Sequence, residues 1–379
     1  MTKILGARLG LNPPDRKVRD GFYSYSTLPQ KGDRSSLTRY PRYPRFDPFS
    51  GSIVRKPQEA KILEALRSKS ILIRGALRIG KSSMLESLAL VLAPHVVFDS
   101  VYWTGNPTLG MSCLDDFKRV LAHEIEQQTG RVVYERDKKG KNFLYEDPLG
   151  RLAVSLRAGE SFFLLFDEFT KFHDVSQAKE IMGYLISSLE KHGKLRAVLV
   201  IHADQAGDRL VEEFFSAFEQ HYIAPVSRAE VAELIAAPLR DSSDLLLPYV
   251  ERIYELSGGI PIIVNRICEA LIGIIKTAES QGDVAERINR LLCPNKLVDR
   301  FDRVEGWLKN LATHCLRDGD ERILKNLARE TPVDWSEPRL AALTQIGLVR
   351  RNSDGRYEIN GSVLKSNFLY NAIVVQSTD

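Results

Sequence analysis

The sequence has few cysteines and no long apolar run, and each of these absences argues against a class of protein. Its four cysteines lie far apart and form no C-x-x-C pair, so we expect packing residues instead of disulfides or a structural zinc site. No apolar run approaches the roughly 20 residues that a membrane-spanning helix needs, and the first residues lack the apolar core of a secretion signal. We therefore expect a cytoplasmic protein that does not associate with membranes.

The small positive charge is concentrated at the N-terminus. Residues 1–49 contain ten Lys or Arg and four Asp, a net of +6 in a chain whose total is +4. The segment TRYPRYPRFDPF interleaves basic and aromatic residues with prolines, which deny it regular structure. We predict an N-terminal arm over residues 1–49, which either wraps the body of the protein or contacts nucleic acid or a partner protein.

Residues 50–226 alternate apolar strands with helices, the pattern of a parallel sheet with crossover helices. The strand-like runs are apolar on both faces, as a sheet covered on both sides requires. We predict strands at 70–74, 95–103, 161–167, 195–203 and 221–226, with helices at 57–68, 114–127 and 177–190 and another starting at Lys81. The predicted fold class is therefore α/β, with a parallel sheet of about five strands.

After this segment the pattern changes to helices alone. The stretch SRAE is a capping box, in which Ser227 and Glu230 each satisfy the backbone amide of the other. Helices at 228–237, 243–257, 261–277 and 280–292 predict a helical lid over residues 227–300. Residues 301–379 predict three helices, one from about 302, one at 321–330 and one at 337–346, and a β-hairpin around NSDG, the layout of a winged helix.

The stretch LIRGALRIGKSSML contains GALRIGKS, which satisfies the phosphate-loop pattern G-x-x-x-x-G-K-[ST] between a predicted strand and a predicted helix. Glycines let backbone amides turn towards phosphate oxygens, and the helix N-terminus favours anions. Lys81 is placed to neutralise the β and γ phosphates, and the Ser82 hydroxyl to bind Mg²⁺. The predicted nucleotide-binding residues are Gly75, Ala76, Leu77, Arg78, Ile79, Gly80, Lys81, Ser82 and Ser83.

A second apolar strand, SFFLLFDEF, ends in the carboxylates that such a loop requires. Asp167 is predicted to hold Mg²⁺, and Glu168 to orient and deprotonate the attacking water. A carboxylate base predicts hydrolysis of the nucleotide as well as its binding. This argues against a protein that keeps the nucleotide only as a structural ligand.

A third strand, LRAVLVIHADQ, ends in polar groups. His202 is our candidate for a residue that lies near the γ-phosphate and reports hydrolysis, with Asp204 or Gln205 as alternatives. A strand-end histidine that is simply satisfied by its neighbours is the competing interpretation. The position alone does not separate the two.

These elements in this order resemble the STAND and AAA+ ATPases, especially the archaeal-ATPase-like and origin-recognition-like members. The resemblance covers roughly residues 47–370 and implies a P-loop NTPase sheet of the ASCE type. RIGKSSML is similar to the STAND form R-x-G-K-T-S-L-L, with Arg78 at the loop arginine, and residues 49–63 resemble the segment that packs near adenine. The resemblance implies ATP and Mg²⁺ as cofactors.

The stretch LSGGIPIIVNRI resembles the lid motif Gly-Gly-x-Pro, in which the proline, here Pro261, approaches the nucleotide. Origin-recognition relatives have an arginine near that place, and Arg266 is a weak substitute. No clear arginine finger follows the third strand, where Arg209 and the weaker Arg196 are the candidates. We therefore leave the arginine finger unassigned.

The resemblance implies an ATP-binding and ATP-hydrolysing molecular switch, of the kind used in prokaryotic signalling or defence. Because the chain lacks superstructure-forming repeats and a recognisable effector domain, we expect a protein partner or self-assembly. The alternative is a DNA-binding ATPase, an initiator or a regulator of transposition or recombination. It would use the N-terminal arm and three wing arginines, Arg350, Arg351 and Arg356, on duplex DNA.

Overall fold

The computed structural model describes most of the chain from residue 55 to residue 370. The described residues are 55–76, 78–92, 96–99, 114–136, 143–167, 175–202, 205–236, 246–277, 281–293, 308, 311, 315–317, 319–331 and 337–370. The predicted arm over residues 1–49 lies outside them, as do Leu77, Glu168 and Asp204. Within the described part, no helix has the length and hydropathy needed to cross a membrane.

Five parallel strands form the central sheet: β1 (Ile71–Gly75), β2 (Val96–Asp99), β5 (Phe162–Phe166), β6 (Leu195–His202) and β7 (Glu219–Tyr222). Their order across the sheet is β2-β5-β6-β1-β7. Every residue of β1 and β5 is buried, because helices cover both faces of the sheet. A separate antiparallel pair consists of β3 (Glu135–Arg136) and β4 (Phe143–Leu144).

The helices of this region pack on two apolar cores, one on each face of the sheet. Alternate residues of each strand point to opposite faces, so Ile71 and Ile73 enter one core and Leu72 enters the other. The helices are α1 (Lys56–Ala65), α2 (Lys81–Leu92), α3 (Leu114–Thr129), α4 (Pro148–Ser155), α5 (Val175–Lys191) and α6 (Gln205–Phe214).

The strand order confirms the predicted fold class. Strand β6 lies between β1, which leads into the phosphate loop, and β5, which leads to Asp167. This inserted strand is the arrangement of the ASCE type of P-loop NTPase. The domain is therefore an α/β fold with the P-loop NTPase sheet, and the carboxyl ends of its strands form one edge where a ligand site is expected.

A helical segment follows the sheet. Its first helix begins with the predicted capping box: the Ser227 amide donates to Glu230 Oε2 at 2.7 Å, and the Glu230 amide donates to Ser227 Oγ at 3.3 Å. The elements are α7 (Arg228–Ala236), a 3-10 turn (Leu247–Tyr249), α8 (Val250–Ser257), α9 (Pro261–Thr277) and α10 (Gln281–Leu291).

The C-terminal region contains the predicted helices and hairpin and one helix that the sequence patterns did not reveal. The hairpin pairs Val349 with Ile359 and Arg351 with Tyr357. The elements are α11 (Asp320–Ala328), α12 (Glu337–Gln345), β8 (Val349–Arg351), β9 (Tyr357–Ile359) and the additional α13 (Ser362–Tyr370), which packs against α11 and α8.

Two predictions from the sequence are wrong. The strand expected at 221–226 is β7 at 219–222, because Pro225 has no amide to donate to a ladder and Val226 donates instead to Gly259 O at 2.8 Å. Of the cysteines expected to pack, Cys268 and Cys315 are buried, but Cys293 is exposed just beyond the end of α10.

Candidate functional site

The phosphate loop connects β1 to α2 at the carboxyl edge of the sheet. Gly80 has φ 101°, a conformation that a side chain disfavours, and its carbonyl accepts the Met84 amide at 3.1 Å, which starts α2. Arg78 has φ 60°, which costs a residue other than glycine about 1 kcal/mol. The loop thus contains one backbone position that favours glycine, at Gly80, and one that is strained, at Arg78.

Lys81 is buried at the first position of α2, with 6% of its surface exposed. Its Nζ donates to Gly75 O at 3.0 Å and to Ala76 O at 2.7 Å, so the ammonium lies inside the curve of the loop. The loop carbonyls therefore satisfy part of a buried charge. A triphosphate in the loop would offer this ammonium stronger, charged acceptors.

Ser82 and Asp167 are the predicted donors for Mg²⁺. Ser82 is exposed in the first turn of α2, and Asp167 directly follows β5 with 5% of its surface exposed. Mg²⁺ in phosphate sites takes one or two protein oxygens and completes its shell with phosphates and water. Among the described residues no cluster of three His, Cys, Asp or Glu could hold a metal alone. The residues present thus fit a metal bound together with a nucleotide.

The remaining predicted residues differ in what the structure describes. Glu168, the predicted base, lies outside the described residues, as does Leu77. His202 ends β6, and its Cα is in register with that of Gly75, so its backbone lies beside the start of the phosphate loop. The predicted sensor position is therefore at the carboxyl edge, next to the loop. Ser83 is exposed in the first turn of α2.

Arg55 is a site residue that the sequence patterns did not single out. It is 7% exposed, and its guanidinium donates to Ile79 O in the phosphate loop at 2.7 Å and to Ala224 O beyond β7. Burial lowers the pKa of Arg55 to about 10, although Glu230 opposes this. Arg55 therefore ties the loop to residues 223–227, the linker that leads into the helical segment.

The Gly-Gly-x-Pro stretch packs directly on that linker. Gly258 and Gly259 both have positive φ, 61° and 71°, and the turn that they form precedes Pro261 at the start of α9. A Cβ on Gly259 would lie 2.0 Å from Val226 O, so only glycine allows this approach. Pro261 itself is half-buried.

The C-terminal region also reaches the linker and the loop. Gly347 lies in the turn between α12 and β8, close to Pro225. A Cβ added to Gly347 would lie 2.7 Å from the Pro225 ring and 3.8 Å from the Ile79 side chain. Asn360, which is buried, donates to Gly347 O at 2.9 Å and lies against Gly258. The helical segment, the C-terminal region and the phosphate loop thus meet around residues 223–227.

The candidate arginines have different surroundings. Arg196 lies near the first residue of β6, at the opposite end of the strand from the site, and donates to Gly193 O and Leu195 O. Arg209 is exposed on α6. Arg266 pairs with Glu269 on its own helix. Of these three arginines, Arg209 is the one that is exposed.

Several cations of the β8–β9 hairpin and of α12 are engaged by other residues of the chain. Arg350 pairs with Glu358, and Arg351 donates to the Tyr357 hydroxyl at 2.7 Å and lies over its ring. Arg339, the one Lys or Arg of α12, is held by Asp320, which is 1% exposed. Arg356 is exposed.

No family model matches this sequence, and no curated protein matches it. Solved structures with a similar course of the chain include a Walker-type ATPase of Pyrococcus abyssi, with 14% identity and a TM-score of 0.48 over 83% of this chain and 95% of that one. The Holliday junction branch migration motor RuvB of Thermotoga maritima gives 16% identity and a TM-score of 0.41 over 82% and 94%. The replication initiator DnaA, bound to AMPPCP and single-stranded DNA, gives 16% and 0.37 over 76% and 81%. At these identities the likeness concerns the fold alone, so the function is argued from the site.

Proposed function

We propose that this protein is an ATP-binding and ATP-hydrolysing molecular switch of the STAND/AAA+ type. The observation that carries the proposal is the position of Lys81, buried inside a glycine-containing loop at the head of α2, with Asp167 at the same edge of the sheet. A buried ammonium, a helix N-terminus and exposed hydroxyl groups together favour a polyphosphate with its metal. ATP rather than GTP follows from the family resemblance.

In this proposal each group at the edge has one task. Lys81 exchanges the carbonyls of Gly75 and Ala76 for the β and γ phosphate oxygens. Ser82 and Asp167 would hold Mg²⁺, which would supply positive charge against the phosphates. Glu168 accepts a proton from the water while the water oxygen attacks the γ-phosphorus. The bond between the γ-phosphorus and the bridging oxygen breaks, and ADP leaves with its electron pair. His202 lies beside the γ-phosphate and responds to its loss.

The switch itself depends on three segments that meet at the linker. We assign residues 50–226 to the ATPase domain, 227–300 to a helical lid and 301–379 to a winged-helix domain. Arg55, Gly259 and Gly347 all contact either the phosphate loop or residues 223–227. A nucleotide that binds one arrangement of these segments more tightly shifts the protein towards it. Signalling or defence, through a protein partner or through self-assembly, is the setting that we propose.

The variant Glu168→Gln tests the hydrolysis step. It removes the base but keeps the volume and the loop, so ATP should bind with wild-type affinity while turnover falls by about 100-fold or more. Binding is measured by calorimetry and turnover by phosphate release on the same preparation. Undiminished turnover would refute the role of Glu168 as the base.

The alternative function is a DNA-binding ATPase that uses the arm and the wing. The described residues give it less support, because Asp320 holds the one cation of α12, and Glu358 and Tyr357 engage Arg350 and Arg351. Duplex binding that weakens steeply with salt, and that falls when residues 1–45 are deleted, would favour this alternative over the switch. The absence of binding at low salt would exclude it.

A further inference from the structure

A buried arginine lies directly before the phosphate loop. Arg74 is the residue before Gly75 in β1, and only 5% of its surface is exposed. It donates to the Tyr222 hydroxyl at 2.8 Å, lies over that ring, and forms an ion pair with Asp208 Oδ1. An unpaired buried cation is costly, and Asp208 is the carboxylate partner of this one.

Asp208 is shared with the C-terminal region. It stands in the first turn of α6, and its second oxygen, Oδ2, accepts from Arg317 Nη2 at 2.9 Å. The Arg317 amide donates in turn to Asp320 Oδ2 at 2.7 Å, and Asp320 pairs with Arg339. Charges of alternating sign therefore run from the strand below the phosphate loop to α12.

The charged residues of this series also influence one another without direct contact. Burial and the nearby Arg317 lower the pKa of Arg339, whereas Asp208 raises it. The carboxylate on α6 thus interacts electrostatically with a residue of α12 as well as with its two direct partners. The network is continuous across the boundary between the sheet and the C-terminal region.

We propose that Asp208 is a positioning residue that couples the phosphate loop to the C-terminal region. The inference rests on the proposed ATP switch. Arg74 is covalently joined to the first residue of the loop, and α6 begins three residues after His202 ends β6. A change at the loop or at that strand end therefore alters the geometry of Asp208. Because the Asp208 carboxylate pairs with both arginines, the same change alters its ion pair with Arg317. The coupling therefore acts from the phosphate loop to the C-terminal region and in the reverse direction.

Hydrogen exchange on the full-length protein tests this, with and without ATP and Mg²⁺. We expect ATP to change the exchange of α11 in the wild type. In Asp208→Asn and in Arg317→Gln the ATP-induced change in exchange rate should be smaller, by up to about fivefold, the effect of losing a partly exposed ion pair. Arg317→Gln leaves the pair of Arg74 and Asp208 intact, so it remains informative if Asp208→Asn is unstable. Glu251→Gln, which breaks an exposed ion pair with Arg228 inside the helical segment, is the matched control and should keep the wild-type response.

The outcomes separate the inference from the function on which it rests. A full wild-type response in folded Arg317→Gln, with ATP still bound, would overturn the role of Asp208 and leave the switch intact. A wild type that binds no ATP, or whose α11 does not respond to it, would overturn the switch and the coupling together. A response lost in both variants and kept in Glu251→Gln would support the coupling.

Discussion

Replacing Arg55 by Met should weaken ATP binding while the protein remains folded. The guanidinium donates to the carbonyls of Ile79, which is buried, and of Ala224, and each hydrogen bond is worth about 1.5 to 3 kcal/mol when the donor is charged. Against this, burial that lowers the pKa of Arg55 from 12.5 to about 10 costs the charged form about 3 kcal/mol. The difference between the two effects is about 0 to 3 kcal/mol, so the free energy of unfolding should fall by no more than about 3 kcal/mol.

The effect on nucleotide binding can be measured separately from the effect on the fold. Without Arg55 the loop loses its anchor at Ile79, and one further residue must be ordered when ATP binds. Ordering a residue costs about 1 to 2 kcal/mol, which corresponds to roughly tenfold weaker binding. Urea unfolding measures the stability, and calorimetric titration with ATP and Mg²⁺ measures the affinity.

The control for this experiment is Arg67→Met. Arg67 lies just beyond α1 and pairs with Glu64 on the surface at 2.9 Å, so its loss should leave stability within about 0.5 kcal/mol and ATP affinity unchanged. If folded Arg55→Met binds ATP as tightly as the wild type, Arg55 does not position the phosphate loop.

Two further predictions concern the segment around the linker. Gly259→Ala should lower the free energy of unfolding by more than about 2 kcal/mol, because φ is 71° and the new Cβ would clash with Val226 O. Gly273→Ala, at a helix position with open space around it, should raise the free energy of unfolding by about 0.5 to 1 kcal/mol. Equal melting temperatures for these two variants would contradict the close approach. Ser227→Ala removes one half of the capping box with Glu230 and should cost about 1 kcal/mol in the same unfolding assay. An unchanged midpoint would mean that the cap adds nothing in this context.

Local sequence patterns were sufficient for most of the central sheet and for the turn of the chain between β1 and α2. The glycines and Lys81 of the loop stand within eight residues between a strand and a helix, so one short pattern predicts both the conformation and the ligand class. Helix α9 was predicted with its observed bounds, since apolar positions recur with helical spacing after Pro261. These features depend on neighbours in the chain.

The features that the sequence did not reveal depend on distant residues. Arg74 and Asp208 are 134 positions apart, and Arg55 and Ala224 are 169 apart, so no periodicity links them. The additional helix α13 was missed because its sequence, SVLKSNFLY, is too short for a convincing helical repeat and is held by packing on α11 and α8. Such contacts arise only when the chain is folded.

The most direct test of the central claim is a calorimetric titration of the wild type and of Lys81→Ala with ATP and Mg²⁺. We predict saturable binding at one site in the wild type. In Lys81→Ala, which remains folded by circular dichroism, no binding should be detectable. Binding of equal strength in both proteins, or none in the wild type, would contradict the assignment of residues 75–83 as the nucleotide site.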